Sequence, residues 1–382
     1  MIDFAMPSLG ADMDEGMLVA WHVAPGDVVT RGQIIAEVET DKGIIDVECW
    51  HDGAIVELLV EPGPQRLAVG TVLARIATEQ PAVVAAPQAP AAEQEPPGRS
   101  VSRPPAMTPP QRMRGVRRRS GGRVKASPRA RRLAERDGID LAAIATTRSD
   151  GLIVAADLPA EQRDPMREAI ARSMERSKRE IPHYYLGLEI DLSRALEWLG
   201  ELNEPRGIAD RVLPACLLLK ATARALSDVP EFNGHYVDGR FHQSAAVHLG
   251  VAVSLRGGGL VAPAIHDADG LTIEEMMVAL RDLVARARSG RLRSSEMSDP
   301  TTTVTNLGDR GVDETFAVIV PPQVAMVGFG KVNEKPVAVD GSVAVRPVVH
   351  ASLAADHRVT DGHRGGLFLS AVDSLLQKPE VL

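Results

Sequence analysis

The stretch Ile34-Ile35-Ala36-Glu37-Val38-Glu39-Thr40-Asp41-Lys42-Gly43-Ile44-Ile45-Asp46-Val47-Glu48 reads as two strands joined by a turn. Its apolar residues are mostly β-branched and alternate with acids, the period-two pattern of strands that bury one face. A turn of two or three residues between them puts Lys42 at the tip of a hairpin. The stem of a lysine so placed cannot fold back onto a core, and its amine is open to acylation by another enzyme. In isolation Asp41-Lys42-Gly43 is an ordinary solvated turn, and only its surroundings say otherwise.

Those surroundings are an internal repeat. Val23-Ala24-Pro25-Gly26 is followed by Gly32-Gln33-Ile34-Ile35-Ala36-Glu37-Val38, and Val60-Glu61-Pro62-Gly63 by Gly70-Thr71-Val72-Leu73-Ala74-Arg75-Ile76. Each copy reads turn, short strand, turn, long strand, which predicts a small β-sandwich with quasi-twofold symmetry and Lys42 between its halves. Residues 1–79 hold fourteen Asp and Glu against four Lys and Arg, and an acidic surface of this kind suits solubility and partner recognition.

The region 1–79 resembles the lipoyl domain of 2-oxo acid dehydrogenase complexes. The resemblance rests on Met6-Pro7-Ser8-Leu9-Gly10, Glu15-Gly16, Pro25-Gly26-Asp27, Glu39-Thr40-Asp41-Lys42 and Gly53. A biotinyl carrier is the rival, but its lysine is normally flanked by methionines; Thr40-Asp41 and Gly43 favour lipoate, attached to Lys42.

At 382 residues the chain should hold two or three domains. Only 3% of residues are aromatic, so the cores must be built from Val, Leu, Ile, Ala and Met. The apolar runs fall short of the roughly 20 residues that cross a bilayer, and Met1-Ile2-Asp3-Phe4 does not start a secretory signal. Cys49 and Cys216 show neither metal spacing nor a disulfide framework, so a reduced, cytoplasmic protein without a metal site is expected. The net charge of −8 argues against a nucleic-acid binder.

Residues 80–123 read as a flexible linker: nine prolines and no aromatic residue in 44 positions cannot bury enough surface to fold. Fully extended at about 3.1 Å per residue, such a tether reaches roughly 135 Å. It runs into a basic block, with thirteen Arg and Lys and the single acid Glu135 between Arg99 and Arg136. An acidic protein partner suits it better than nucleic acid, since no aromatic residues are present to stack on bases. Residues 124–159 form a small helical unit, with Ser127 capping a helix that has Pro128 in its first turn. This unit resembles a peripheral-subunit-binding domain through Ala126-Ser127-Pro128 and Arg131-x-Leu133-Ala134. It departs from the family at Ala145-Thr146-Thr147-Arg148-Ser149-Asp150-Gly151, where two loop glycines and an arginine are missing.

Residues 164–382 read as an α/β domain. Helices are expected over Met166–Lys178, over Leu217–Leu226, after the capping box Thr272-x-x-Glu275, and over about Gly365–Gln377. Strands are expected over Val247–Ser254, Phe316–Val320, Val324–Gly328 and Val343–Leu353. Asp356-His357-Arg358-Val359-Thr360-Asp361-Gly362 falls between a long strand and the last helix, where a histidine can act as a general base. That string resembles the catalytic domain of dihydrolipoamide acyltransferases. So do Thr303-Val304-Thr305-Asn306-Leu307-Gly308, Pro321-Pro322-Gln323, Pro230-Glu231-Phe232-Asn233 and Pro182-His183-Tyr184-Tyr185.

The resemblance implies an α/β fold like that of chloramphenicol acetyltransferase. It also implies transfer of an acyl group from dihydrolipoyl-Lys42 to coenzyme A, with acetyl the first choice and a branched-chain group the second. It assigns His357 as the base that deprotonates the coenzyme A thiol and Thr305, where the family commonly has serine, as the oxyanion donor. Asp361 completes the catalytic set by holding Arg358 or the loop. Arg167, Ser173 and Asn233 fall where coenzyme A or a neighbouring subunit is met, and His183 is read as packing or a coenzyme contact. Asp299-Pro300 replaces the family's Gly-Gly. The implied partners are the decarboxylase (E1) and dihydrolipoamide dehydrogenase (E3) subunits and further copies of the chain, assembled as trimers within a shell and binding coenzyme A between subunits. A non-catalytic scaffold of the same architecture is the competing reading, and it would have no need of His357.

Overall fold

The computed structural model describes residues 1–9, 13, 15–40, 43–78, 125–136, 141, 144, 152–154, 157, 165–255, 259–308 and 311–382. They fall into two compact units, residues 1–80 together with 164–382, and residues 81–163.

The start of the first unit has eight strands, β1 (Ile2–Ala5), β2 (Glu15–Trp21), β3 (Val28–Val29), β4 (Ile34–Thr40), β5 (Gly43–Glu48), β6 (Gly53–Leu58), β7 (Arg66–Ala68) and β8 (Val72–Ala77). They make two sheets, ordered β1-β8-β6-β3 and β5-β4-β2-β7. Leu18, Val38, Val47, Ile55, Leu73 and Ile76 are buried in one core between them. The sequence repeat is a structural one. Gly32 and Gly70 precede β4 and β8 with φ of 82° and 88°, a left-handed conformation that only glycine adopts without strain. Their N–H groups donate to Cys49 O at 2.7 Å and Met6 O at 2.9 Å.

In the second unit, helix α1 (Pro128–Arg136) starts where Ser127 Oγ accepts from Ala130 N at 3.1 Å. Ala130, Ala134 and Ile153 form a small core of their own. The atypical loop Ala145–Gly151 and the linker 80–123 lie outside the described residues.

Helix α2 (Pro165–Glu180) leads into β9 (His183–Asp191), α3 (Ser193–Asn203) and the apolar α4 (Pro214–Asp228). The strands β10 (Gly234–Val237), β11 (Arg240–Gln243), β12 (Leu249–Val251), β13 (Val253–Ser254), β14 (Leu260–Val261) and β15 (Ala264–Ile265) follow. Then come α5 (Ile273–Ser289), β16 (Leu292–Arg293), α6 (Ser294–Ser298), β17 (Thr302–Asn306), β18 (Ala325–Phe329), β19 (Asn333–Val339), β20 (Ser342–Asp356) and α7 (Gly362–Leu376). The main sheet runs β15-β12-β17-β18-β20-β19, with β9 also paired to β20. Its core is separate from that of the first eight strands and includes Phe232, Leu249, Val304, Val327, Leu353 and Phe368. The capping box at Thr272 forms as expected: Thr272 Oγ1 accepts from Glu275 N, and the Glu275 carboxylate accepts from Thr272 N.

Two strand expectations need correction. Val247–Ser254 is not one strand: β12 belongs to the main sheet, whereas β13 pairs with β14 in a separate hairpin. Phe316–Val320 forms no strand. At Ile319 side chains take the place of a ladder, Ile319 N donating to His183 Nε2 at 3.1 Å and Ile319 O accepting from Ser177 Oγ at 2.6 Å.

Candidate active site

Strands β4 and β5 close on each other through the pair Thr40 and Gly43, and Thr40 Oγ1 donates to Gly43 O at 3.0 Å. Gly43 has a φ of 119°. Only Asp41 and Lys42 separate the paired strands; both lie outside the described residues.

His357 follows the last residue of β20. Its backbone N donates to Pro182 O at 3.0 Å, and the Tyr184 ring meets the imidazole edge-on with centroids 5.1 Å apart. Tyr184 is itself fixed, with its hydroxyl donating to Asp361 O at 2.8 Å and lying 2.9 Å from Thr360 Oγ1. The imidazole is exposed, and among the described residues neither ring nitrogen has a hydrogen-bond partner. It is placed by its backbone and by packing, which leaves both nitrogens available.

The residues flanking His357 form a clamp. Asp356 is fully buried, and its carboxylate accepts from Arg358 Nε at 2.9 and 3.0 Å and from Arg358 Nη2 at 2.6 Å. The Asp356 carboxylate beside it raises the Arg358 pKa still further, so the guanidinium is permanently charged. Its other face covers the Tyr236 ring, 3.9 Å from the centroid. The expectation that Asp361 holds Arg358 is therefore corrected: the partner is Asp356, two residues before it. Asp361 caps α7 by accepting from Arg364 N at 3.0 Å, and that bond holds its pKa below the usual carboxylate value. It also fixes the loop in which His357 sits.

Thr305 lies near the end of β17, half-buried, and no partner for its hydroxyl is seen among the described residues. It lines a cavity of about 190 Å³. That cavity shares Val251, Ala252, Val284, Arg288 and Asn306 with a larger one of about 480 Å³ that also holds Arg281. The walls of the larger cavity are mostly apolar and those of the smaller one mixed, with Arg288 on both and Arg281 on the larger.

His357 and Thr305 do not meet within one chain. Thr305 is opposite Gly328, Gly328 is opposite Ser352, and His357 is five residues beyond Ser352. Two strand spacings across the sheet and five residues along it amount to roughly 19 Å. A hydrogen-bond network between base and oxyanion donor is out of reach by several-fold.

The remaining sequence candidates separate clearly. His183 is structural, its Nδ1 lying 2.9 Å from Ile181 O while Nε2 accepts from Ile319 N. Burial lowers its pKa, which favours the neutral ring that this pair of bonds requires. Asn233 is taken up by the fold of its own chain. Buried to 2% exposure, it donates to Ser244 O and Ala246 O and accepts from Thr301 Oγ1 at 2.5 Å. On α2, Arg167 is exposed and Ser173 is buried. Cys216 is no nucleophile: burial pushes its thiol up to about 12. Sequence reasoning missed two arrangements. His266 Nε2 lies 3.0 Å from Asp299 Oδ2, giving the unusual Asp299 a structural role. Lys220, at 2% exposure, donates to the carbonyls of Ala268, Asp269 and Leu271, a cation buried inside an apolar helix pattern that gave no sign of it.

Three family models match. Residues 157–382 match "2-oxoacid dehydrogenases acyltransferase (catalytic domain)", residues 2–76 "Biotin-requiring enzyme" and residues 124–158 "e3 binding domain". Among similar curated proteins is the dihydrolipoyllysine-residue acetyltransferase component of the pyruvate dehydrogenase complex of Zymomonas mobilis, 31% identical over 99% of this chain and 98% of that protein. Among solved structures, a probable dihydrolipoamide acetyltransferase from Listeria monocytogenes is 28% identical with a TM-score of 0.54, covering 58% of this chain and 94% of that one. The dihydrolipoamide acetyltransferase of Azotobacter vinelandii is 26% identical with a TM-score of 0.53, covering 56% and 90%. That enzyme was studied for the roles of a serine, a histidine and an asparagine in its catalytic mechanism.

Proposed function

Because the chain belongs to the 2-oxo acid dehydrogenase acyltransferase family, we propose that His357 of one copy and Thr305 of another form the site that passes an acyl group to coenzyme A. The chain is an acyltransferase that bears lipoate covalently and uses coenzyme A as co-substrate. Lipoate on Lys42 supplies the acyl group as a thioester. His357 takes the proton from the coenzyme A thiol, which at a pKa of about 8.5 is mostly protonated at neutral pH. The Thr305 hydroxyl donates to the acyl carbonyl oxygen as negative charge develops there. The apolar cavity beside Thr305, with Arg281 and Arg288, suits a long neutral arm that ends in phosphates.

The observation that carries this reading is the roughly 19 Å between His357 and Thr305 within one chain, the first exposed and the second half-buried, and each without a partner for its reactive group among the described residues. Two half-sites on one chain imply that the copies assemble, and trimers built into a shell supply the arrangement. Acetyl is the acyl group we favour, within a pyruvate dehydrogenase complex, because relatives that align over nearly the whole chain carry that activity. Residues 124–159 then recruit the E1 and E3 subunits. The two free, buried cysteines suit a reducing cytoplasm, and no described helix is long and apolar enough to cross a membrane.

Subunit mixing tests this. His357→Ala and Thr305→Ala chains should each be nearly inactive alone and recover activity when co-assembled, because some sites then pair an intact His357 with an intact Thr305. No recovery would place both groups in one chain and overturn the shared site. Acetyl-, isobutyryl- and succinyl-dihydrolipoamide assayed side by side should show acetyl preferred, and the lipoate mass should vanish in Lys42→Arg.

A further inference from the structure

We propose that residues 292–298 are a docking seat for the lipoyl-bearing sandwich, gripping the edge of β5 so that the lysine-bearing hairpin is presented at the Thr305 cavity. This rests on the acyltransferase reading above and adds a surface to it. In the sandwich, β5 is the outer strand of its sheet, and an edge strand leaves a row of backbone N–H and C=O groups unpaired. Here β16 covers that edge. It pairs with β5 in parallel, Leu292 opposite Ile45 and Arg293 opposite Asp46, so the two domains share one five-stranded sheet. Strand addition of this kind gives affinity through the main chain and specificity through neighbouring side chains.

The side chains are matched. Glu48, at 5% exposure, receives Ser295 Oγ and Ser295 N on its carboxylate, while its own N donates to Ser294 Oγ at 3.1 Å. Buried acceptors of this kind are costly unless paired, and these pairs exist only when the sandwich is seated. Met297 packs against both hydrophobic cores. The charges are complementary too: Asp46 and Glu48 meet Arg293 of the seat and Arg291 just before it, and the sandwich as a whole is acidic. The parallel register sends the Gly43 end of β5 toward the turn at Gly290. Two residues before that turn is Arg288, which lines the cavity shared with Thr305 and Asn306. Gly43, the start of β5, therefore lies on the cavity side of the seat.

A charge swap on the full-length chain tests the seat, with lipoylation verified by intact mass. Glu48→Lys and Ser295→Glu should each lose the buried pairing, and the double variant should restore it with the charges exchanged. Two readouts are taken. In hydrogen exchange, the amides of residues 44–48 and 292–295 should be protected in the parent and the double variant and exposed in each single variant. In single turnover, coenzyme A should discharge the chain-borne acyl group roughly tenfold more slowly in each single variant, the effect expected for one buried charge-assisted hydrogen bond. Transfer from free acyl-dihydrolipoamide should be unchanged. Unaltered exchange and unaltered discharge in the single variants would overturn the seat. If the parent discharges neither donor, the acyltransferase reading fails instead, and a loss with free donor equal to the loss with chain-borne donor would show that the substitutions damage the catalytic site and not the docking.

Discussion

His183 and His357 stand at the same end of one strand pair, His183 directly opposite Asp356 across the β9–β20 ladder and His357 one residue further on. Their situations are opposite. His183 is held through both ring nitrogens, one against Ile181 O and the other receiving Ile319 N, and it helps replace the ladder that residues 316–320 lack. His357 is positioned by its backbone and the edge of Tyr184, with no hydrogen bond to its ring among the described residues. A histidine whose hydrogen-bonding capacity is consumed belongs to the fold. One that is oriented yet unspent is available for proton transfer.

The largest effect that can break this contrast is on activity. His357→Ala should lower turnover with coenzyme A by roughly 10²–10⁴-fold, the usual worth of a general base, and leave the thermal midpoint unchanged. His183→Ala should do the reverse. It strands the Ile319 N–H, whereas Ile181 O keeps the bond from the backbone N of residue 183; the cost should be about 1–3 kcal/mol of stability measured by denaturant unfolding, while folded enzyme keeps most of its turnover. If both variants lost turnover equally at unchanged stability, His183 would be part of the chemistry and the contrast would fail.

The clamp between the two histidines gives the next effect. Arg358→Ala leaves the fully buried Asp356 carboxylate without its bidentate partner. A cost of about 3 kcal/mol is expected, at the low end for a broken buried pair because Arg358 is about one-third exposed. Arg358→Lys should recover only part of it, since an ammonium cannot reproduce the planar fork or the stacking on Tyr236. Turnover should fall as well, because Asp356 N and His357 N anchor the loop between Val324 O and Pro182 O. A variant as stable as the parent would mean that water replaces the arginine and that the clamp does not set the position of His357.

Much of this was legible in the sequence, for reasons that differ by region. The Lys42 hairpin could be read because alternation and turn chemistry act over a few residues, and β4 and β5 end at Thr40 and Gly43 as the pattern requires. The capping box at Thr272 is equally local. His357 was found through the string around it, but the clamp beside it was not: Asp361 was expected to hold Arg358 or the loop, and the structure gives Arg358 to Asp356 while Asp361 caps the helix that follows the loop. Arg358 follows Asp356 by two residues, the spacing that shares one face of a strand, and the chain turns just beyond it, with Val359 N and Thr360 N donating to Asp356 O. The strand expected over residues 316–320 failed because periodicity reports which faces are buried and not whether a ladder partner exists. Asn233 was read as a coenzyme or interface contact because its type and neighbours suggested one. Its bonding to Ser244, Ala246 and Thr301 depends on three segments that only the fold brings together.

The smallest effect concerns the proton on His183. Burial lowers its pKa below the ordinary 6.5, with Lys178 adding to the shift and Asp356 opposing it. A histidine of lowered pKa takes its proton first in the unfolded chain. Its contribution to stability is therefore complete above about pH 6.5 and declines as pH falls from there toward the lower folded value. Glutamine at this position offers an amide N–H to Ile181 O and a carbonyl to Ile319 N, and it does not titrate. His183→Gln should thus be somewhat less stable than the parent at pH 8, because its geometry is only approximate, and the gap should narrow as the pH is lowered from 7 to 5. Paired denaturant curves at each pH measure it. A gap for His183→Gln that is constant with pH would mean that the buried ring keeps its unfolded-state affinity for protons, and that its two hydrogen bonds do not hold it neutral.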